Sequence, residues 1–149
     1  MNPAHLHLMT THLPVLGTVF GVGLLLWALA RRSTELKKTA LGVFVVAAGL
    51  AIPAYLSGQP AAKELRNMPD FRQETVDRHL DIAQLGFAAV LVLGAAALAS
   101  LIVFRKARPL PAWNLALLLL LSAIACGLLL WTADLGGQVR HTELRAQQR

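Results

Sequence analysis

Four stretches without a charged residue constrain the fold of this chain more than any other feature. They cover residues 13–30, 39–56, 82–104 and 113–133. Each approaches or meets the roughly 20 residues that an α-helix needs to cross the hydrocarbon core of a bilayer. Backbone groups in lipid must pair within the chain and no alternating strand pattern is present, so each stretch is predicted to be a helix. The sequence therefore predicts an all-α integral membrane four-helix bundle that forms a single domain over residues 1–149.

Capping signals predict two alternative start positions for the first helix and for the third. Asn2-Pro3 is typical of an N-cap followed by a first-turn proline, so the first helix begins either near Pro3 or at Leu13. Asp70 is also a good N-cap, which makes residue 70 the alternative to Ile82 as the start of the third helix. The N-terminus lacks a basic segment and a small-residue cleavage site, so we expect the first helix to be retained.

Turn-forming residues predict where the second and fourth helices end. Ser57-Gly58-Gln59-Pro60 is expected to break the second helix and to begin an outer loop over residues 57–78. Within this loop, residues 61–68 are expected to form a short interfacial helix. Gly136-Gly137 is expected to stop the fourth helix, within an outer tail over residues 134–149.

The distribution of basic residues predicts the orientation in the membrane. The loops after the first and third helices hold seven of the 14 Lys and Arg residues and one acid, Glu35, whereas the other face carries seven basic and seven acidic residues. By the positive-inside rule the two basic loops are cytoplasmic and both termini face outward. We therefore expect a multi-pass protein of the bacterial cytoplasmic (inner) membrane with both termini in the periplasm.

Composition and charge exclude several classes of function. The basic residues flank apolar stretches and are not interleaved with exposed aromatic residues, so the net charge of +6 does not predict nucleic-acid binding. The single cysteine, Cys126, has no disulfide partner in the chain and no metal-binding cysteine beside it, so we expect a small packed residue. No nucleophile–base motif or phosphate loop indicates a hydrolase or a transferase.

All five histidines are predicted to lie at the outer face of the membrane. His5, His7 and His12 belong to the first helix or its approach, His79 to the outer end of the third helix, and His141 to the tail after the fourth. Imidazole is the commonest protein metal ligand, and ligands from several helices are what a site in a bundle core requires. A lone interfacial histidine is usually a hydrated polar residue, but this convergence favours ligation.

The first helix cannot present three histidines to one ion. His5 and His12 are seven residues apart and share a face, whereas His7 is rotated by about 200° from His5 at roughly 100° per residue. Two readings stay open on this pattern: either two sites exist, or one or two of these histidines are interfacial.

A b-type haem is the favoured cofactor. It needs two axial imidazoles from facing helices, an apolar slot with small residues, and basic groups for its propionates. Gly17 and Gly86 suit the slot, and Arg78 and Arg140, each beside a histidine, suit the propionates.

A non-haem ion of iron, copper or zinc is the alternative cofactor. Such an ion requires three or four converging ligands, which carboxylates often complete. The histidine candidates for either cofactor are His7, His12, His79 and His141. The candidate carboxylates for an ion are Glu64, Asp81 and Glu143.

Several short motifs resemble a family of predicted four-helix bacterial membrane proteins of unknown function. Its members begin with a His-Pro, three residues, His-Phe-Pro type of pattern, matched here by His7 and by His12-Leu13-Pro14. Residues 55–61 resemble the family's turn after the second helix, His79 its histidine at the head of the third, and residues 135–143 a Gly-Gly-x-x-Arg-His ending. The family is cytochrome b-like, and the resemblance to it spans nearly the whole chain.

The resemblance implies an outward-facing haem or metal site in a redox chain, with His7 and His12 preferred over His5. The chain departs from the family pattern at Leu8, which stands where the family has proline, and at Leu13, which stands where it has phenylalanine. The acid expected directly after His79 is also absent, since Leu80 stands there.

Three functions stay open on the sequence. The favoured one is a haem-binding subunit that transfers electrons at the outer face, with a quinone or a periplasmic redox protein as its partner. The second is a non-haem metal-binding membrane protein. The third is a cofactor-free accessory subunit that docks on a larger membrane complex through its leucine-rich fourth helix.

Overall fold

The computed structural model describes residues 3–65, 72–105 and 109–140, with side chains over 7–63, 72–105 and 109–139. These residues form four α-helices and no strand. The helices are α1 (Pro3–Ala30), α2 (Thr34–Leu65), α3 (Gln73–Val103) and α4 (Ala112–Arg140). Each contains a segment that is long and apolar enough to cross a membrane. The predicted all-α four-helix membrane fold is confirmed.

The bundle is built from neighbouring helices that are consecutive in the chain. α1 packs on α2, α2 on α3 and α3 on α4, whereas the contact between α1 and α4 is much less extensive. Leu25, Phe44, Leu93 and Leu118 are fully buried and come from all four helices. They lie toward the end of the bundle that carries the short α1–α2 connection. The largest fully buried apolar side chains therefore fill the end opposite His7 and His79.

Glycines bring the helices close together at two seams. A Cβ atom on Gly17 would lie 3.1 Å from the Cβ of Ala47, and one on Gly21 would lie 2.6 Å from the Phe44 ring. A Cβ on Gly94 of α3 would collide with the Cβ of Ala48. Small residues at helix interfaces permit this close approach in membranes. The seams join α1 to α2 and α2 to α3.

The exterior of the bundle is apolar, as a bilayer environment requires. Leu16 and Phe20 on α1 are 64% and 63% exposed, and Leu120 on α4 is 59% exposed. Trp27 and Trp113 are exposed as well, which agrees with aromatic side chains at a membrane interface. The leucine-rich α4 is divided between the core and this exterior.

The expected break in α2 at Ser57–Pro60 is wrong. α2 continues to Leu65 and contains both Pro53 and Pro60. A proline inside a helix removes one backbone donor, but membrane helices tolerate this because side chains and local adjustments satisfy the freed groups. The predicted outer loop over 57–78 is shorter at both ends, because 57–65 belong to α2 and 73–78 belong to α3. Residues 61–65 belong to α2 and do not begin a separate helix, and residues 66–71 lie outside the described residues.

Three further helix ends can be compared with the predictions. Gly136-Gly137 does not stop α4, which continues through Arg140. α1 begins at Pro3, the earlier of the two starts considered. α3 begins at Gln73 with Arg72 in the N-cap position, and Asp70 lies outside the described residues. Glycine permits a helix stop but does not impose one when its neighbours continue to pack.

Candidate functional site

His7 on α1 is held by the last turns of α2. Its Nδ1 atom lies 3.0 Å from the backbone oxygen of Ala54 and 3.0 Å from the Oγ of Ser57. The Ser57 hydroxyl donates its own proton to the same Ala54 oxygen at 2.9 Å. A carbonyl oxygen can only accept, so the shared proton must be on Nδ1 of His7. The ring is half-buried, and its orientation is set by α2.

His79 on α3 is held in the same way by α4. Its Nδ1 atom lies 3.1 Å from the backbone oxygen of Thr132, which again can only accept. The Thr132 hydroxyl donates to the Leu128 oxygen at 2.8 Å. His79 therefore also carries its proton on Nδ1.

These two hydrogen bonds decide which nitrogen of each ring is available. A neutral imidazole has one N–H and one lone pair, so protonation of Nδ1 places the lone pair on Nε2. Among the described residues, the hydrogen bonds of both rings are made by Nδ1. Metal-ligating histidines usually donate their other N–H to a carbonyl or a carboxylate, which fixes the ring and raises the basicity of the ligating nitrogen. His7 and His79 both have this arrangement.

A glycine on the neighbouring helix makes room for each ring. A Cβ atom on Gly58 would lie 3.4 Å from Cε1 of His7, and one on Gly136 would lie 3.2 Å from Cε1 of His79. Both glycines come four residues after the carbonyl that accepts the hydrogen bond. The residues predicted to end α2 and α4 therefore receive the two histidines.

The two imidazoles lie at the same end of the bundle. His7 and His79 are close enough for their charged forms to interact electrostatically, although they lie on helices that are not consecutive. The rings of Tyr55, the residue after Ala54 on α2, and Phe87 on α3 stack with centroids 4.2 Å apart. Within the described part of the chain, no three His, Cys, Asp or Glu side chains come together as a metal-binding group. The site seen there is a pair of imidazoles.

The other histidine candidates are placed differently. His12 is exposed on α1, and the described geometry gives it no part in the pair. His141 lies outside the described residues, as does Glu143. The side chain of His5 is also outside them.

The remaining predicted site residues divide into three groups. Arg78 and Asp81 are exposed on the outer turns of α3, near His79 in sequence. Gly17 faces α2, and a Cβ on Gly86 would lie 3.4 Å from Oγ1 of Thr132 on α4, so both glycines serve helix packing. Glu64 and Arg140 lie in the last turns of α2 and α4, with side chains outside the described ones. For all of these residues, the predicted role at a cofactor stays a prediction.

No protein-family model, curated protein or solved structure matches this chain. The resemblance carried by the short motifs therefore stays a prediction.

The sequence reasoning missed the groups that hold the histidines. Ala54 and Thr132 act through backbone oxygens, which leave no mark in residue type. Gly58 and Gly136 stand out in the sequence because each lies two or three residues beyond an uncharged stretch. That position predicted turns and not contacts with histidines. Their similar placement in the second and fourth helices was the available signal for a shared role.

Proposed function

We propose that this protein is a membrane-embedded b-type haem-binding subunit that transfers electrons at the periplasmic face of the bacterial cytoplasmic membrane. One observation supports this most. Imidazoles from two different helices, His7 and His79, are fixed through Nδ1 and keep the Nε2 lone pair for a ligand. A six-coordinate b-type haem takes two such axial groups and no third protein ligand.

The donor set fits haem better than a non-haem ion. A single ion of iron, copper or zinc needs three or four converging protein ligands in most sites. The described residues bring two together, so a non-haem site would need further ligands from His141, Glu143 or Glu64. A bound haem would supply one-electron chemistry, for which the protein provides the axial nitrogens and the surrounding polarity.

The neighbouring residues prepare the two rings for this role. The Ala54 and Thr132 carbonyls hold the imidazoles in one tautomer and limit their rotation. Ligand binding therefore requires little further ordering of the two side chains. Arg78, exposed one residue before His79, supplies a cation at the surface of the site for a propionate. Arg140, the last residue of α4, is the corresponding predicted residue on that helix.

The charge distribution of the chain supports a site on the periplasmic side. The two basic loops carry a formal charge of +6 at the opposite end from His7 and His79. A cofactor near the outer interface is within reach of a quinone in the membrane or of a periplasmic redox protein. We propose these two as the electron-transfer partners.

An absorption spectrum of the purified protein tests the proposed function. Protein expressed with an ample haem supply and purified in detergent is expected to show a Soret band, and sharp α and β bands after reduction with dithionite. A variant with both His7→Ala and His79→Ala, purified in parallel, is the control for haem carried over from membranes. Wild-type protein without these bands contradicts the proposal, and stoichiometric iron, copper or zinc in that protein would favour the non-haem alternative.

A further inference from the structure

His7 and His79 share two contacts with the next helix, although only His7 also meets a hydroxyl, that of Ser57. In each case the histidine lies on the outer part of the first helix of an antiparallel hairpin. Its Nδ1 donates to a carbonyl of the second helix, at Ala54 or Thr132. Its Cε1 rests against the glycine four residues further on, Gly58 or Gly136.

The helix bounds follow the same relationship. A shift of 72 residues, from His7 to His79, moves α1 onto residues 75–102, and α3 covers Gln73–Val103. A shift of 78 residues, from Ala54 to Thr132, moves the start of α2 from Thr34 onto Ala112, where α4 begins. The longer connection between α3 and α4 accounts for the difference between the two shifts.

The two hairpins also run in the same direction through the membrane. α1 and α3 both begin at the end that carries the histidines, and α2 and α4 both end there. Parallel repeats in membrane proteins share this common direction. His7 and His79 occupy corresponding positions in the two hairpins, although α2 packs more extensively on α3 than α1 does on α4.

We propose that the α1–α2 and α3–α4 hairpins are two copies of one structural unit, and that each supplies one axial imidazole, His7 and His79, to a single haem held between them. The inference rests on the proposed function, because it assigns the axial pair of the same site. It removes His12 and His141 from that pair. His12 has no equivalent in the second hairpin, since the same shift places it on Gln84.

Four single substitutions test the axial pair: His7→Ala, His79→Ala, His12→Ala and His141→Ala. Wild-type protein is expected to hold one haem per chain, with the absorption and electron paramagnetic resonance spectra of low-spin iron bound by two imidazoles. His7→Ala and His79→Ala are each expected to lose this low-spin signature, and added imidazole is expected to restore it. His12→Ala and His141→Ala are expected to keep the wild-type spectra. Circular dichroism and gel filtration of every variant separate loss of a ligand from loss of the fold.

The possible results distinguish the two proposals. Wild-type protein with bound haem whose low-spin signature survives His7→Ala or His79→Ala contradicts the axial pair and leaves the haem protein standing. Two haems per chain contradict the single shared site in the same way. Wild-type protein that binds no haem contradicts the proposed function, and the assignment of the pair with it.

The haem-free protein offers an independent test of the equivalence. Nitrogen NMR of protein with ¹⁵N-labelled histidine distinguishes the two neutral tautomers. The signals lost in His7→Ala and His79→Ala are both expected to report a proton on Nδ1 and a bare Nε2. A proton on Nε2 at either position contradicts the shared geometry, whatever the cofactor.

Discussion

At the scale of single residues, two backbone oxygens determine what two histidines can do. The Ala54 and Thr132 carbonyls accept from Nδ1, and each ring therefore presents Nε2. The sequence identified His7 and His79 as candidates because of their place beside apolar stretches. It could not separate them from His12, because the distinction depends on which ring meets a carbonyl of the next helix.

Gly136 and Gly137 provide a matched pair for testing this geometry. Gly136→Ala places a methyl group 3.2 Å from Cε1 of His79, so the ring must shift by a few tenths of an ångström, whereas the same change at Gly137 meets nothing within 4 Å. We expect Gly136→Ala to weaken haem binding by about 10-fold, since changes in the groups that orient a ligand cost about 10–100-fold. Gly137→Ala is expected to bind as wild type. Equal haem titration curves for the two variants would contradict the role of Gly136.

Ser57 contributes less than the carbonyl it accompanies. Ser57→Ala removes one of the two acceptors of the His7 Nδ1 proton but leaves the Ala54 oxygen at 3.0 Å. We expect a loss of about 1 kcal/mol or less in the free energy of unfolding, the usual worth of one neutral hydrogen bond. Denaturant titration in detergent measures it, and the ¹⁵N spectrum should show that His7 keeps its tautomer. A change of tautomer would mean that Ser57, and not Ala54, fixes the ring.

At the scale of helices, the sequence predicted which elements form but misplaced several ends. The uncharged stretches and the lipid environment require four helices, whatever the local propensities. Gly58, Pro60 and Gly136 are turn-forming residues in water, where a free end is hydrated at little cost. In this bundle they lie inside α2 and α4, because the continuing helices pack against α1 and α3.

The seam between α2 and α3 depends on Gly94. Its Cβ position is occupied by Ala48, so Gly94→Ala must push the two helices apart, and overpacking of this kind costs about 1–3 kcal/mol. Gly42→Ala, on α2, is the matched control because a Cβ there meets nothing within 4 Å. We expect a lower thermal unfolding temperature for Gly94→Ala and an unchanged or slightly higher one for Gly42→Ala. Identical unfolding temperatures would contradict the close contact.

At the scale of the whole molecule, the charge distribution predicts the orientation and the helix packing supplies the site. Two single-cysteine variants in a Cys126→Ser background test the orientation, since Glu35 and Gln73 are exposed at opposite ends of the bundle. A membrane-impermeant maleimide is expected to label Gln73→Cys from the periplasm in cells with a permeabilised outer membrane. Glu35→Cys is expected to react only after the inner membrane is opened. The reverse pattern would place both histidines at the cytoplasmic face.

The pairing of each histidine with the next helix of its own hairpin has a consequence for folding. Only residues 31–33 separate α1 from α2. The hydrogen bond from His7 to Ala54 therefore forms within the α1–α2 hairpin, which is synthesised first. The hydrogen bond from His79 to Thr132 likewise forms within the α3–α4 hairpin. Contacts within one continuous chain segment form sooner than contacts between separate segments. We therefore expect each imidazole to be oriented by its own hairpin before the two hairpins pack together in the bilayer.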